Sequence, residues 1–401
     1  MKNISDRNAR QGLGANPERT RQHNNKLVLD ALRDARGRDE TAGRAEIARL
    51  SGLSTQAVSN IIASLEDTGM IRACGKRVAG RGQPAMQYEI APEGGFALGF
   101  EVRPDALFCT VLNLHGQTVH RDRNPLTDAT PDHVAREMLR MMADALAELN
   151  LPADKLLGAG VVMPGPFGST GIANLQSDLP GWRDVEMPEW AENLLGLPCI
   201  VENDANAAAM AERISGVTQN MDTYACLYFG AGLGLGVVSE RQPLRGACGN
   251  AGEIGHITIA LPEGPVRLEQ ALSRLSVRDY LQENGVQAET TGELEAHFRE
   301  ECPALLTWIE RARLALKEAV HVIENLFDPE CIVLCGAMPE AILHALIQDV
   351  PLKNQSVSTR LDRAAPRLLT GSSGPMTAAR GSAALVLNDA FDPRIPSRLS
   401  G

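Results

Sequence analysis

Residues 197–216 read LPCIVENDANAAAMAERISG. An apolar run ends in the polar group END at 202–204, and an alanine-rich run follows at once. Alanine is the strongest helix former, and the apolar run has the length of a buried strand. This junction therefore predicts a strand that continues directly into a helix, the repeating unit of an α/β domain.

The same alternation of strands and helices extends over the chain from residue 96 onward. Apolar strand-like runs include FALGFEV at 96–102, KLLGAGVVM at 155–163 and CIVLCG at 331–336. Helical patterns lie between them, including a long one at 305–327, and another closes the pattern at 375–389. This part of the chain is therefore predicted to be of the α/β class.

Asn203 and Asp204 are polar residues at the predicted junction of strand and helix. Carboxylate and amide side chains can hold sugar hydroxyls, and a carboxylate can also act as a general base toward one of them. The alternative is a helix cap, because Asn and Asp are preferred at the start of helices.

Two glycine-rich segments follow. FGAGLGLGV at 229–237 can turn its backbone N–H groups toward a phosphate or another ligand, although a tight turn between strands explains it equally well. GNAGEIGH at 249–256 places His256 three residues after Glu253, and Glu269 follows shortly. We expect these three side chains to converge on one ligand.

The net charge of −11 conceals two modules of opposite sign. Residues 1–90 carry 15 Lys and Arg against 10 Asp and Glu, whereas the remainder carries 24 against 40. A basic module suggests a polyanionic partner such as double-stranded DNA, and the acidic remainder needs a different task.

The basic module has the pattern of a helix-turn-helix. Three helical patterns follow a polar arm at 1–24, and Gly52 lies at the turn between the second and the third. The third helix has an apolar stripe and a face of short polar side chains suited to base edges in the major groove. The predicted DNA-contacting residues of this helix are Ser54, Thr55, Gln56, Ser59 and Asn60.

Residues 71–90, IRACGKRVAGRGQPAMQYEI, predict a β-hairpin wing around a basic, glycine-rich turn. Arg81 lies between two glycines, which allow a close approach to the negative potential of a minor groove. Arg77 and Gln83 are predicted to contact DNA beside it. The alternative is an ordinary three-helix bundle with a hairpin that does not bind DNA.

With these motifs together, the chain resembles the ROK family of repressors, open reading frames and kinases over nearly its whole length. The motifs that carry the resemblance are LPGW at 179–182, ENDANAAA at 202–209, GAGLGLG at 230–236, GEIGH at 252–256 and LEQALS at 268–273.

The resemblance implies an actin-like, ribonuclease-H-like sugar-kinase fold of two α/β subdomains, preceded by a winged helix-turn-helix. The expected divisions are an arm at 1–24, the winged helix at 25–91, a first ROK subdomain at 95–206 with the helix at 376–391, and a second at 207–375. The implied sugar-binding residues are Asp178, Asn203, Asp204, Glu253, His256 and Glu269, with Asp204 at the position of the kinases' catalytic base.

Two segments depart from the family pattern. Family kinases have a DxGGT phosphate loop, where this chain has EVRPD at 101–105, which removes backbone donors and adds bulk and like charge near a triphosphate. Phosphoryl transfer is therefore expected to be lost. Residues 260–267, ALPEGPVR, replace the cysteine-rich zinc loop and contain no cysteine, so neither zinc nor another cofactor is expected.

The sequence thus predicts a regulator, a repressor of carbohydrate-use genes, whose non-catalytic ROK domain binds a small carbohydrate that alters DNA affinity. The alternatives are an active sugar kinase with a DNA-binding module, and a regulator controlled by a partner without a sugar. The eight scattered cysteines and the lack of an apolar leader or span predict a cytoplasmic protein without a membrane partner. Palindromic operators favour a homodimer, with a tetramer as the alternative.

Overall fold

The computed structural model describes residues 17–37, 40–77, 85–165, 179, 181–183, 185–360, 362–363 and 365–394. Its helices are α1 Pro17–Arg36, α2 Arg44–Ser51, α3 Thr55–Asp67, α4 Pro131–Glu148, α5 Met187–Leu195, α6 Asp204–Ser215, α7 Leu268–Ala271, α8 Arg274–Glu283, α9 Thr291–Arg299, α10 Pro303–Phe327, α11 Glu340–Ile347 and α12 Thr377–Phe391. Its strands are β1 Ala42–Gly43, β2 Ile71–Arg77, β3 Ala85–Ile90, β4 Phe96–Val102, β5 Ala106–Asn113, β6 Thr118–Pro125, β7 Leu156–Met163, β8 Cys199–Asn203, β9 Tyr224–Phe229, β10 Leu233–Ser239, β11 Gln242–Pro243, β12 Thr258–Leu261, β13 Gly264–Arg267, β14 Ile332–Gly336 and β15 Leu368–Ser373.

The chain divides into two compact units, and the first comprises the residues up to Gly94 together with those from Asp389 onward. Helices α1, α2 and α3 pack beside a three-stranded sheet of order β1-β3-β2. Helix α2 ends at Gly52, whose φ of 70° is left-handed, and this residue lets the chain turn into α3. This is the predicted winged helix-turn-helix.

Helix α1 begins at Pro17, inside the stretch 1–24 that the sequence predicted to be an arm. The buried side of α1 includes Lys26, whose Nζ donates a hydrogen bond to the carbonyl of Asp389 and lies 3.9 Å from its Oδ2. Burial lowers the pKa of Lys26, against the opposing effect of the Asp389 and Asp392 carboxylates. The residues of α12 from Asp389 onward belong to the first unit, and those up to Asn388 belong to the second.

The second unit, Gly95–Asn388, contains two five-stranded sheets of identical topology. Their orders are β6-β5-β4-β7-β8 and β11-β10-β9-β14-β15. In each sheet the first three strands along the chain pair antiparallel, and the next two join in parallel. This repeated arrangement is the predicted actin-like, ribonuclease-H-like fold of two α/β subdomains.

The alanine-rich composition of α6 follows from its packing. Residues Ala205 to Ile214 are all buried, and α6 lies so close to α12 that a Cβ at Gly381 would come within 2.0 Å of the carbonyl of Ala207. A Cβ at Gly160 of β7 would likewise come within 1.9 Å of the carbonyl of Ser382. Small residues thus allow two helices and a sheet to approach closely and hold the β8–α6 junction in a fixed position.

Candidate functional site

The site begins where β8 ends and α6 starts. Asn203 caps α6, with its Oδ1 accepting a hydrogen bond from the amide of Asn206 at 2.7 Å, so the helix-cap alternative holds for this residue. Its Nδ2 donates to the carbonyl of Gly249 at 3.5 Å and contacts the loop that carries Glu253 and His256.

Asp204, the first residue of α6, has a perturbed carboxyl group. Its Oδ1 accepts the amide of Ala205 at 2.9 Å. Burial, with a smaller contribution from the Glu101 carboxylate, raises the pKa of Asp204 to about 7. At neutral pH this side chain can therefore either donate or accept a hydrogen bond.

The glycine loop between β9 and β10 brings two carboxylates to one cleft. A Cβ at Gly230 would lie 3.3 Å from Oδ2 of Asp204, and one at Gly232 would lie 3.3 Å from Oε2 of Glu269. The segment forms a tight turn between two antiparallel strands, which was one of the two interpretations of its sequence. Its glycines also permit the close approach to the two acidic groups.

His256 lies in a single 3-10 turn, Ile254–His256, flanked by two carboxylates. Its Nε2 lies 3.5 Å from Oε2 of Glu253, and its Nδ1 lies 3.7 Å from Oε1 of Glu269. Nδ1 is buried and has no hydrogen-bond partner among the described residues. Burial raises the pKa of Glu253, although His256 opposes this effect. The His256 ring thus lies between two carboxylates, with 21% of its side chain exposed.

The structure thus brings together five of the six residues expected in the sugar pocket: Asn203, Asp204, Glu253, His256 and Glu269. Asp178 lies outside the described residues, so its position relative to the others stays a prediction. The end of β7 also contributes, because a Cβ at Gly165 would lie 2.9 Å from Oε1 of Glu253.

An ion pair near these residues, between a buried carboxylate and a partly exposed arginine, was not predicted from the sequence. Glu202, with 2% of its side chain exposed, binds Nε of Arg245 at 2.6 Å and accepts the side-chain amide of Asn206 at 3.1 Å. It anchors the segment after β11 to the strand that ends in Asn203. Glu202 is the first residue of the motif ENDANAAA, but nothing in the sequence pattern indicated that Arg245, 43 residues away, is its partner.

Residues 101–105, which the sequence predicted to be a degenerate phosphate loop, carry a bonded pair of charged side chains. Nε of Arg103 donates to Oε1 of Glu101 at 2.5 Å, and its Nη2 donates to the carbonyl of Pro375 at 2.7 Å. The other carboxylate oxygen of Glu101 accepts the amide of Ala379 at 3.1 Å. The guanidinium also lies 4.4 Å from the ring centre of Phe108.

Residues 260–267, where the resemblance implied a zinc loop, lie in the hairpin β12–β13. Its four pairs run without interruption from Thr258 opposite Arg267 to Leu261 opposite Gly264. The hairpin offers neither a thiolate nor an imidazole for zinc, so its residues do not fit the metal site that the family implies.

The predicted DNA-contacting face of α3 is accessible. Ser54 caps the helix by accepting the amide of Ala57 at 3.2 Å, and Thr55, Gln56 and Asn60 are exposed. Nε2 of Gln56 donates to Oδ1 of Asn60 at 3.2 Å, so these two side chains form one polar surface. Ser59 is partly buried and donates to the carbonyl of Thr55.

The wing is only partly described. Arg77 is the last residue of β2, while Arg81 and Gln83 lie outside the described residues, so their predicted roles are untested. β2 and β3 pair antiparallel from Ile71 opposite Ile90 to Arg77 opposite Ala85, as expected of a hairpin.

Comparison with known proteins places this geometry in a family. The sequence pattern of the ROK family matches residues 98–389. A xylose repressor of Bacillus subtilis is 24% identical over 236 residues, which are 59% of this chain and 60% of that protein.

Two solved structures resemble the fold. A ROK family transcriptional regulator, a homologue of the E. coli MLC protein, matches with a TM-score of 0.71 at 21% identity, covering 95% of this chain and 99% of that one. A ROK hexokinase from Thermus thermophilus matches with a TM-score of 0.54 at 24% identity, covering 72% and 97%. Within the described ranges, no helix is long and apolar enough to span a bilayer.

Proposed function

Because the chain belongs to the ROK family, we propose that it is a sugar-responsive transcriptional repressor whose ROK domain binds a carbohydrate without phosphorylating it. Double-stranded operator DNA is its first partner, and a sugar or sugar derivative is its effector. We place it in the cytoplasm as a homodimer, with a tetramer as the alternative.

His256 carries the sugar-binding half of the proposal. The His256 side chain is 21% exposed, and an imidazole can donate one hydrogen bond and accept another. The carboxylates of Glu253 and Glu269 lie within 3.7 Å of the same ring and accept hydroxyl protons. A polyhydroxylated ligand satisfies all three groups, and Asp204 and Asn203 extend the polar lining.

The Glu101–Arg103 pair supports a binding domain rather than a kinase. Phosphate loops bind a triphosphate through free backbone N–H groups next to small residues. Here the corresponding place holds a guanidinium already bonded to Glu101 and to the carbonyl of Pro375. A nucleotide would have to displace these contacts, so we assign no catalytic residue and no cofactor. The proposal includes no zinc ion, because the hairpin β12–β13 contains neither cysteine nor histidine.

DNA recognition is proposed for Ser54, Thr55, Gln56, Ser59 and Asn60 of α3 and its cap, together with Arg77, Arg81 and Gln83 of the wing. The xylose repressor of Bacillus subtilis among the relatives agrees with this role. Helix α3 presents short polar side chains, which allow it to lie deep in a major groove.

Calorimetric titration of the full chain with xylose, glucose and N-acetylglucosamine, and with their β-linked disaccharides, tests the sugar site. We expect binding that Glu269→Gln weakens at least tenfold, while Glu300→Gln, the same change at an exposed helix end, leaves it unaltered. No binding of any sugar, or equal binding by both variants, would overturn the sensing half of the proposal.

One observation favours sugar phosphorylation as a second candidate function. Asp204 occupies the position of the kinases' base, and its pKa of about 7 suits proton abstraction near neutral pH. Sugar-dependent release of ADP from ATP distinguishes the two functions.

A further inference from the structure

A cavity of about 590 Å³ adjoins the sugar site on its Glu269 side. Gly232 and Glu269 line this cavity, and both belong to the site already described. Its other walls come from α7, α8, α10 and the hairpin β12–β13. The volume lies within the range of pockets that hold small ligands, roughly 300–1,000 Å³.

The lining combines an aromatic face with polar groups. Tyr280 is partly exposed, and the guanidinium of Arg311 lies 5.4 Å from its ring centre. Glu263, Gln270 and Asp279 add carboxylate and amide groups along the same cavity. Aromatic rings bind the apolar face of a sugar ring, whereas carboxylates and amides bind its hydroxyls. This combination suits a second sugar residue better than a purely apolar group.

The position of the cavity indicates how the two sites connect. Gly230 approaches Asp204, and Gly232, two residues later, approaches Glu269. Gly232 and Glu269 line the cavity, and Asp204 is not among the described residues that do so. Gly232 and Glu269 are therefore the residues through which the site and the cavity meet.

The hairpin β12–β13 forms the outer wall. Its turn carries Glu263, which lies 3.9 Å from Nη2 of Arg311 on α10. Residues 260–267, which contain no cysteine, thus contribute to the wall of the cavity. The resemblance implied metal ligands in this segment.

We propose that this cavity is a second sugar subsite and that the effector is a disaccharide or a similar glycoside rather than a free monosaccharide. The inference rests on the proposed function, because it extends the same sugar site. Leu275, 41% exposed on α8, lines the cavity and offers a way to block it.

The test is calorimetric titration of the full chain with xylose, glucose and N-acetylglucosamine, each compared with xylobiose, cellobiose and diacetylchitobiose. We expect one disaccharide to bind at least tenfold more tightly than its monosaccharide. Leu275→Trp, which fills the cavity, should remove that preference. Leu326→Trp, the same change at a residue 68% exposed and outside the cavity lining, should preserve it.

Two results would overturn the inference while leaving the proposed function intact: monosaccharides that bind as tightly as their disaccharides, or a preference that Leu275→Trp leaves unchanged. If none of the six sugars binds, the proposed function fails together with the inference. Thermal unfolding of both tryptophan variants shows that each is folded.

Discussion

The carboxylate of Glu101 binds the guanidinium of Arg103, with 2.5 Å between Oε1 and Nε, in the segment where the sequence predicted a degenerate phosphate loop. Only 3% of the Glu101 side chain is exposed, and burial raises the pKa of this carboxyl against the effect of Arg103. The pair therefore stabilises the local fold, and under the proposed function it stands where a kinase would bind a triphosphate.

Arg103→Ala leaves the buried carboxylate of Glu101 without its cation. We expect the free energy of unfolding in urea to fall by about 2–3 kcal/mol, less than for a fully buried pair because 24% of the Arg103 side chain is exposed. The double variant Glu101→Gln with Arg103→Ala removes the stranded charge and should recover part of this loss. A double variant no more stable than the single one would contradict this role of the pair.

The wild-type chain is predicted to release no ADP from ATP above background with any of the six sugars. We expect this for a steric and an electrostatic reason. The Arg103 side chain lies in the segment predicted to be a degenerate phosphate loop, and Asp105 adds a negative charge beside it. A coupled spectrophotometric assay measures the release. Sugar-dependent turnover that Asp204→Asn abolishes would show the kinase function instead.

Asp204 predicts a pH-dependent stability. Its pKa is about 7 in the folded chain against an ordinary value of 3.8, so the folded state retains a proton that the unfolded state loses. This contribution is complete below about pH 4 and is lost as the pH rises through 7. Because Asp204 is partly exposed, solvent screening reduces the effect. Between about pH 4 and pH 7, we expect the free energy of unfolding of wild type to fall by about 1–2 kcal/mol relative to that of Asp204→Asn.

Urea unfolding at each pH measures this difference, and Asp154→Asn, the same change at an exposed position, is the matched control. The control should follow the wild-type profile. Parallel profiles for wild type and Asp204→Asn would mean that Asp204 is ionised like an ordinary surface carboxylate.

Gln56→Ala is predicted to weaken operator binding about tenfold, which corresponds to about 1.4 kcal/mol, because a base-edge contact typically contributes 1–3 kcal/mol. Operator DNA selected from a genomic library, followed by fluorescence anisotropy, measures the effect. Gln282→Ala, an exposed glutamine in the second unit, is the control and should bind like wild type. An unaffected Gln56→Ala variant would remove this residue from the proposed interface.

Local pattern was sufficient to predict much of the fold and the residues that the structure brings together around His256. The junction at Asn203 and Asp204 could be predicted because the strand, the helix cap and the alanine-rich helix follow one another directly in the sequence. Glu253, His256 and Glu269 were likewise close in sequence, and the structure places them within one cluster.

The contacts that the sequence did not reveal join distant residues. Glu101 meets Ala379 across 278 positions, and Lys26 meets Asp389 across 363. Such pairs arise from tertiary packing, which single-sequence periodicity does not contain. Helix α1 was predicted too short because its first residues, 17–24, read PERTRQHN and offer no apolar periodicity.

Coupling between sugar and DNA tests the central claim most directly. The measurement is the affinity of the full chain for its selected operator, by anisotropy at fixed salt, with and without the sugar that binds most tightly in calorimetry. We predict that this sugar weakens DNA binding at least tenfold in wild type and has no effect on His256→Ala, which still binds DNA. An operator affinity unchanged by a sugar that demonstrably saturates the protein would contradict the account.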